Sequence, residues 1–273
     1  MKRSPIWYLI PPLLALLHGL WFLGTGPVDD DYICFRYARN LVQGHGLVFN
    51  VGERFEGFTT PLWVLMHATW QALGGSSPQF SVGVGIAALV ICSWLLARCS
   101  KAADRWPLAA VVVAAAPAMA WHAVAGLGTV LLAVCYLAAH LAHQRAEKEE
   151  RPAVGAAIWL AVACLMRQES VLFVLPFAFS RWKAGHRLVP LIPLAALVSW
   201  TLFRLGYYGR WLPITYHTKK LPMVADLTYG WNYFLEAGRN FGLPLLLLLA
   251  AWGAIRGGGW AHSTRVCAPP SGC

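Results

Sequence analysis

The sequence predicts an all-α polytopic membrane fold, and three observations carry that reading. Only 12% of the 273 residues are charged while 58% are hydrophobic, where a soluble globular chain carries about 25% charged residues. The apolar residues fall into long runs separated by short charged bridges. The runs do not alternate in polarity: "LLLLLAAWGAI" lacks the lumen-lipid alternation of a barrel strand, which leaves the helix as the way to satisfy the backbone in lipid.

In chain order the expected spans are about 6–24, 80–97, 107–124, 127–142, 153–166, 170–180, 188–206 and 241–256, some eight in all. The start, "MKRSPIWYLIPPLLALLHGLWFLGTG", has the charged head of a signal peptide. Its apolar stretch is long for one and no small-x-small site precedes the aspartates, so an uncleaved first helix is expected. Lys2 and Arg3 hold its start inside. The bridges after 97, 142, 180 and 256 are basic and read as cytoplasmic, so the span at 80–97 begins outside and residues 25–79 form one long outer segment. Within it, "TTPLWVLMHATWQAL" (59–73) is short, carries His67 and Gln71, and cannot span. It reads as an interfacial helix with Trp63 and Trp70 at headgroup depth. "DYICFRYARNLVQG" reads as a second one, ended by Gly44, with Ile33, Tyr37 and Leu41 on one face.

The net charge of +10 does not indicate nucleic acid. The basic residues lie in small clusters between apolar runs (Arg98/Lys101/Arg105, Arg145/Lys148/Arg151, Arg181/Lys183/Arg187) and not in a patch on a soluble domain. Thirteen of the 22 Lys and Arg fall inside under this topology, with four of the 12 acids, a strong positive-inside gradient. Of the seven cysteines, Cys92, Cys135 and Cys164 fall within apolar runs, none has metal-ligand spacing, and only Cys34 faces outside, so no disulfide is expected there.

The remaining charges converge on the outer side. Asp29, Asp30 and Asp31 follow the first span, Arg167 and Glu169 lie in the hairpin "LMRQES", and Lys219 and Lys220 end "YYGRWLPITYHTKK". Ionisable residues at a membrane boundary are functional candidates, and carboxylates beside cations suit a hydroxyl to be deprotonated and a phosphate to be displaced. Each also has a plainer reading: the aspartates as helix caps, Arg167 and Glu169 as a hairpin ion pair, Lys219 and Lys220 as headgroup contacts. No P-loop, nucleophile elbow, zinc motif or dinucleotide fingerprint occurs.

Together these pieces resemble a known family. "DDDYICFRYARNLVQGHGLVFNVGERFEGFTTPLW" (29–63) closely resembles the first outer loop of bacterial GT-C glycosyltransferases, of the arabinofuranosyltransferase-like and protein-mannosyltransferase-like kind. "AGLGTVLL" (125–132), "LMRQESVL" (165–172) and "YYGRWLPITYHTK" (207–219) resemble three later segments in the family order. Gly128 departs from the pattern, standing where the family has Glu; so do Gln168 (for Pro) and Ile214 (for Asn). The resemblance covers roughly 1–256, with the acidic motif in outer loop 25–79 and the lysine motif in outer loop 207–240. Residues 257–273 read as a short cytoplasmic tail that looks truncated or frameshifted.

The resemblance implies a GT-C module with two juxtamembrane helices in the first outer loop, in a bacterial cytoplasmic membrane, with its active site facing outside. It implies an inverting glycosyltransferase that moves a sugar from a polyprenyl-phosphate carrier to a glycan, lipid or protein acceptor, among membrane lipids. Asp29 and Asp30 would be the acidic pair. One would serve as general base and the other would orient the hydroxyl or hold a divalent cation. Lys219, then Arg167 and Lys220, would meet the phosphate, and Tyr37, Glu56, Glu169 and Tyr216 would shape the acceptor cavity. Two rival readings stay open: a catalytically impaired remnant of that family, and a lipid-binding or transport protein. The second would carry charges at mid-membrane or paired repeats, and neither is found.

Overall fold

The computed structural model describes residues 4–102, 106–218 and 223–240. Among the described residues every regular element is helical. The described part of 1–217 forms one compact unit; residues from 218 onward belong to another, in which α12 (Met223–Asn240) is described.

The first helix, α1 (Ile10–Trp21), is flanked by 3-10 turns at Pro5–Tyr8 and Phe22–Thr25. The long α4 (Ser77–Ala102) packs against α1, against α5 (Leu108–Ala115) and α6 (Pro117–Val124), and against α7 (Thr129–Lys148). Small residues let these backbones approach, as in other lipid-embedded bundles: a Cβ on Gly85 would overlap the Ala123 carbonyl. Next, α8 (Val154–Met166) packs on α7 and on α10 (Leu191–Tyr208), with α9 (Val171–Lys183) beside it.

Among the described residues, three helices or helical stretches are long and apolar enough to cross a membrane: Pro5–Thr25, Ser77–Lys101 and Leu191–Tyr208. A fourth is added if α6 and α7, bent by 112° across Ala125–Gly128, count as one broken span. One expected span looks different in three dimensions. The run at 107–124 is split, because Pro117 lacks an N–H and pushes Ala116 into extended geometry (φ −69°, ψ 116°). The run at 170–180 carries Pro176 inside α9. The expected span at 241–256 lies outside the described residues.

The two helices expected within 25–79 both form. They are α2 (Asp29–Val42) and α3 (Pro61–Ala72), packed against each other, with α3 also resting on α4 and α8. Gly44 follows α2 at φ +80°, the left-handed conformation that ends helices. The expected face of α2 is in place: Tyr37 is buried and Ile33 and Leu41 pack around it, against Phe58, Trp63, Met166 and Tyr208.

Candidate active site

The three aspartates occupy the first turn of α2, where their charge complements the helix dipole. None is the N-cap. Val28 holds that position in extended geometry, and its N–H donates to the Ala125 carbonyl at 3.0 Å. The start of α2 is thus tied to the α6–α7 turn. Rotation of about 100° per residue then sends the three side chains apart. Asp29 and Asp30 are exposed, with Asp29 Oδ1 accepting from the Asp30 N–H at 2.9 Å. Asp31 is completely buried.

Asp29 opens onto a cavity of 680 Å³ between α2 and the α3–α4 connection, together with Tyr32, Arg36, Arg39, Gln71 and Ser76. Phe49 and Ile33 also line this cavity. Both border as well a neighbouring one of 280 Å³, which Tyr37, Asn50, Glu53 and Ile214 line. Side chains of both charge signs, amides and aromatic rims are the mixture that holds a polyhydroxylated ligand.

Arg167 follows α8 directly, at the start of a 3-10 turn that holds Glu169. It makes no ion pair with Glu169 among the described residues, so the hairpin-pair reading is not what the structure presents. Arg167 lies near enough to α2 to act on Cys34. Burial drives that thiol up to about 12, Asp31 and Asp30 add to the rise, and Arg167 opposes it. Arg167 and the aspartates therefore share one electrostatic neighbourhood.

Glu56 and Tyr37 have bonding partners that the sequence did not disclose. Tyr37 does line the smaller cavity, but its hydroxyl donates to the Phe55 carbonyl at 2.7 Å and accepts from the Gly57 N–H at 2.8 Å. The Glu56 carboxylate is sealed, 2% exposed, in an ion pair with Arg204 of α10, and accepts from Trp200 Nε1 at 3.1 Å. The Arg204 guanidinium also donates to the Trp211 carbonyl at 3.1 Å, and the Glu56 carbonyl accepts from the Ile214 N–H at 3.0 Å. Tyr208 Oη donates to the Leu47 carbonyl at 2.7 Å. These bonds join the 25–79 segment to "YYGRWLPIT", the stretch that leads to Tyr216, which is exposed in α11 (Ile214–Thr218). Lys219 and Lys220 lie outside the described residues.

One residue of this region, Ser81, escaped sequence reading. Asp31 Oδ1 accepts from Trp63 Nε1 at 2.9 Å, and its Oδ2 lies 2.5 Å from Ser81 Oγ. Ser81 Oγ is in turn 2.9 Å from the Gly126 carbonyl oxygen. His67 is wholly buried among Phe35, Trp63 and Phe80, with neither ring nitrogen partnered. Burial lowers it to about 4, so it is a neutral packing residue.

Gly128 also has a structural reading. It is the N-cap of α7 in the left-handed region, φ +66°, and a Cβ there would come 2.7 Å from the Met166 methyl and 3.3 Å from the Trp63 ring. A Glu at 128 would need both the backbone and those neighbours to shift. No three His, Cys, Asp or Glu side chains converge as metal ligands among the described residues.

At the far end of α7, Glu147 pairs with the buried Arg181 of α9. Twenty helical residues, roughly 30 Å at ~1.5 Å per residue, separate that basic end from Gly128 and the aspartates.

Comparison with known proteins points the same way as the 29–63 motif. The chain is 28% identical to a terminal beta-(1->2)-arabinofuranosyltransferase of Corynebacterium glutamicum over 298 aligned residues, covering 92% of this chain and 42% of that protein. It is likewise 28% identical to a terminal beta-(1->2)-arabinofuranosyltransferase of Mycobacterium tuberculosis, covering 91% of this chain and 45% of that one. The chain thus spans less than half the length of the curated relatives it matches. No family model matches it, and no solved structure does.

Proposed function

We propose that this chain is the catalytic membrane module of an inverting glycosyltransferase. In this reading it moves a pentosyl group, of the arabinofuranosyl class its relatives are named for, from a polyprenyl-phosphate carrier to a cell-envelope glycan at the outer face of the cytoplasmic membrane. The observation that supports the reading is the exposed Asp29, which lines a cavity of 680 Å³ at a helix start held by the α6–α7 turn, with the exposed Asp30 next to it in the chain.

The acceptor hydroxyl gives its proton to one of these carboxylates. Its oxygen bonds the anomeric carbon from the face opposite the phosphate, and the carbon–oxygen bond to phosphate breaks, its electron pair leaving on the lipid phosphate. No covalent enzyme intermediate forms, and configuration inverts. Arg167 and Lys219 offset the charge developing on the leaving phosphate. For a divalent cation Asp29 and Asp30 offer two carboxylates, so water and the donor phosphate would fill its other positions.

The eight-span topology belongs to this proposal. A single-cysteine accessibility scan should label Gln43 and Ser76 substitutions from outside and a Gln144 substitution from inside. Ser76 is the better reporter than Gly75, where a Cβ would collide with the Trp70 ring. Inside labelling at Ser76 would mean that α3 crosses the membrane and that the orientation is wrong.

The phosphate contact is tested at the lysines. Lys219→Met should weaken carrier use by roughly 10–150-fold, the worth of a charge-assisted contact of about 1.5–3 kcal/mol, and Lys220→Met by much less, because Lys219 alone falls in register with the lysine of the resembled motif. Equal small losses at both would mark them as headgroup contacts.

A further inference from the structure

A further cavity, of 700 Å³, opens between the last turn of α7 and the last turn of α9. Its ionisable lining is Glu147, Glu150, Arg151, Arg181, Lys183 and His186. Most of that charge is matched within the chain. Arg181 Nη2 donates to Glu147 Oε1 at 3.0 Å and to Ser180 Oγ at 3.2 Å, and Arg151 pairs with Glu149. Lys183 and Glu150 form no ion pair among the described residues, so one cation and one carboxylate are left over at the same wall. Arg181 itself is 2% exposed, and its Nε–H has no acceptor among the described residues. A guanidinium this buried with a donor unspent is short of an acceptor.

An apolar track leads to this wall. On α9, Leu172, Leu175, Phe179 and Trp182 recur at i, i+3, i+7 and i+10 and are 61–65% exposed. At about 100° per residue they fall on one side of the helix, and Lys183 ends that same side. Ten residues at ~1.5 Å each give roughly 15 Å, half of a hydrocarbon core of about 30 Å, so the track is one leaflet long. The Lys183 ammonium lies 4.3 Å from the centre of the Phe179 ring, and the Arg187 guanidinium 4.7 Å from that of Trp182. Cations resting on aromatic rings at the polar end of an apolar track are the arrangement of a headgroup boundary.

We propose that this cavity binds the headgroup of a phospholipid that carries both a phosphate and a primary amine, with the acyl chains lying along the α9 track. The phosphate meets Lys183 and Arg181, and the ammonium meets Glu150. Basic pockets between membrane helices bind lipid headgroups, and here the unmatched carboxylate narrows the choice. A purely anionic headgroup would satisfy Lys183 and press its charge on Glu150. A choline headgroup has no N–H to give that carboxylate. A free phosphate would make no use of an apolar track one leaflet long. Bound in this way, the lipid bridges α7 and α9 beside the Glu147–Arg181 pair. The site is independent of the glycosyltransferase reading: it lies at the other end of α7 from Gly128 and needs only that α9 be bathed in lipid.

Native mass spectrometry of the full chain in detergent tests this, with dioleoyl phosphatidylethanolamine, phosphatidylglycerol or phosphatidylcholine added as the probe. Wild type should hold one phosphatidylethanolamine per chain, about fivefold more tightly than either other lipid, the worth of one charge contact at a headgroup. Lys183→Gln should weaken all three lipids by about the same factor. Glu150→Gln should abolish the preference and leave phosphatidylglycerol bound at least as well as phosphatidylethanolamine. Both side chains are exposed, so both variants should keep the wild-type thermal midpoint in lipid-free detergent. Inorganic phosphate and phosphoethanolamine at millimolar concentration should leave the lipid in place; displacement by either would make the ligand a soluble one and overturn the lipid assignment. Tighter binding of phosphatidylglycerol than of phosphatidylethanolamine to wild type would overturn the amine. Wild-type affinity in both Lys183→Gln and Glu150→Gln would overturn the site, as would a wild type that carries no lipid or a second copy of the chain in its place.

Discussion

Asp29→Asn and Asp30→Asn should each lower sugar transfer by about 10²–10⁴-fold, the usual worth of a general base, while expression and membrane insertion stay at wild-type level. The structure makes this a clean substitution. Neither residue is the helix N-cap, since Val28 is, so no capping bond disappears. The bond from the Asp30 N–H to Asp29 Oδ1 can be accepted equally by an Asn amide oxygen. Both side chains are exposed, so no packing is lost. Asn differs in the one property at issue: it cannot accept a proton near neutral pH. The assay follows transfer from a polyprenyl-phosphate sugar in membranes holding each variant, with protein amount measured in parallel. Full activity in both single variants and in the double variant would end the catalytic assignment, and the two carboxylates would be left as partners of the helix dipole.

The contrast with Asp31 shows what could be read from the sequence and what could not. Three identical neighbours gave no reason in composition to separate them. Yet the signal was there in the period. Asp31, Cys34, Phe35 and Ala38 follow i, i+3, i+4 and i+7, and all four are buried on one face of α2. An acid at the head of such a stripe points inward with it. The two helices of 25–79 were legible as short elements, one with an apolar face ended by Gly44 and the other too short and polar to span. The break before Pro117 was legible too, in the letters "AAAPAMAW", but the hydropathy of 107–124 concealed it. Reading Gly128 as a missing carboxylate overlooked its left-handed backbone, which no single sequence position discloses.

The Glu56–Arg204 pair was the least legible part, since 148 residues separate its members, and it carries the second large expected effect. Arg204 lies in the last turns of an apolar helix, 1% exposed, and a charge there requires a partner. Glu56 supplies it, engaging the guanidinium at both Nε and Nη2. Arg204→Met would leave the Glu56 carboxylate buried without compensation, a loss of about 3–5 kcal/mol and a fall in thermal midpoint on the order of 10 °C. Arg204→Lys should recover little, because one ammonium cannot reach both carboxylate oxygens and the Trp211 carbonyl together. Glu56→Gln/Arg204→Met removes both charges and should regain most of the stability, since a well-packed neutral pair is often no worse than the ion pair. Transfer should follow stability in this series, the pair tying the outer segment to "YYGRWLPIT" without touching substrate. If Arg204→Met were as stable as wild type, Glu56 would have to be held by something other than Arg204. If the double variant were fully stable yet inactive, Glu56 would belong to the cavity chemistry after all.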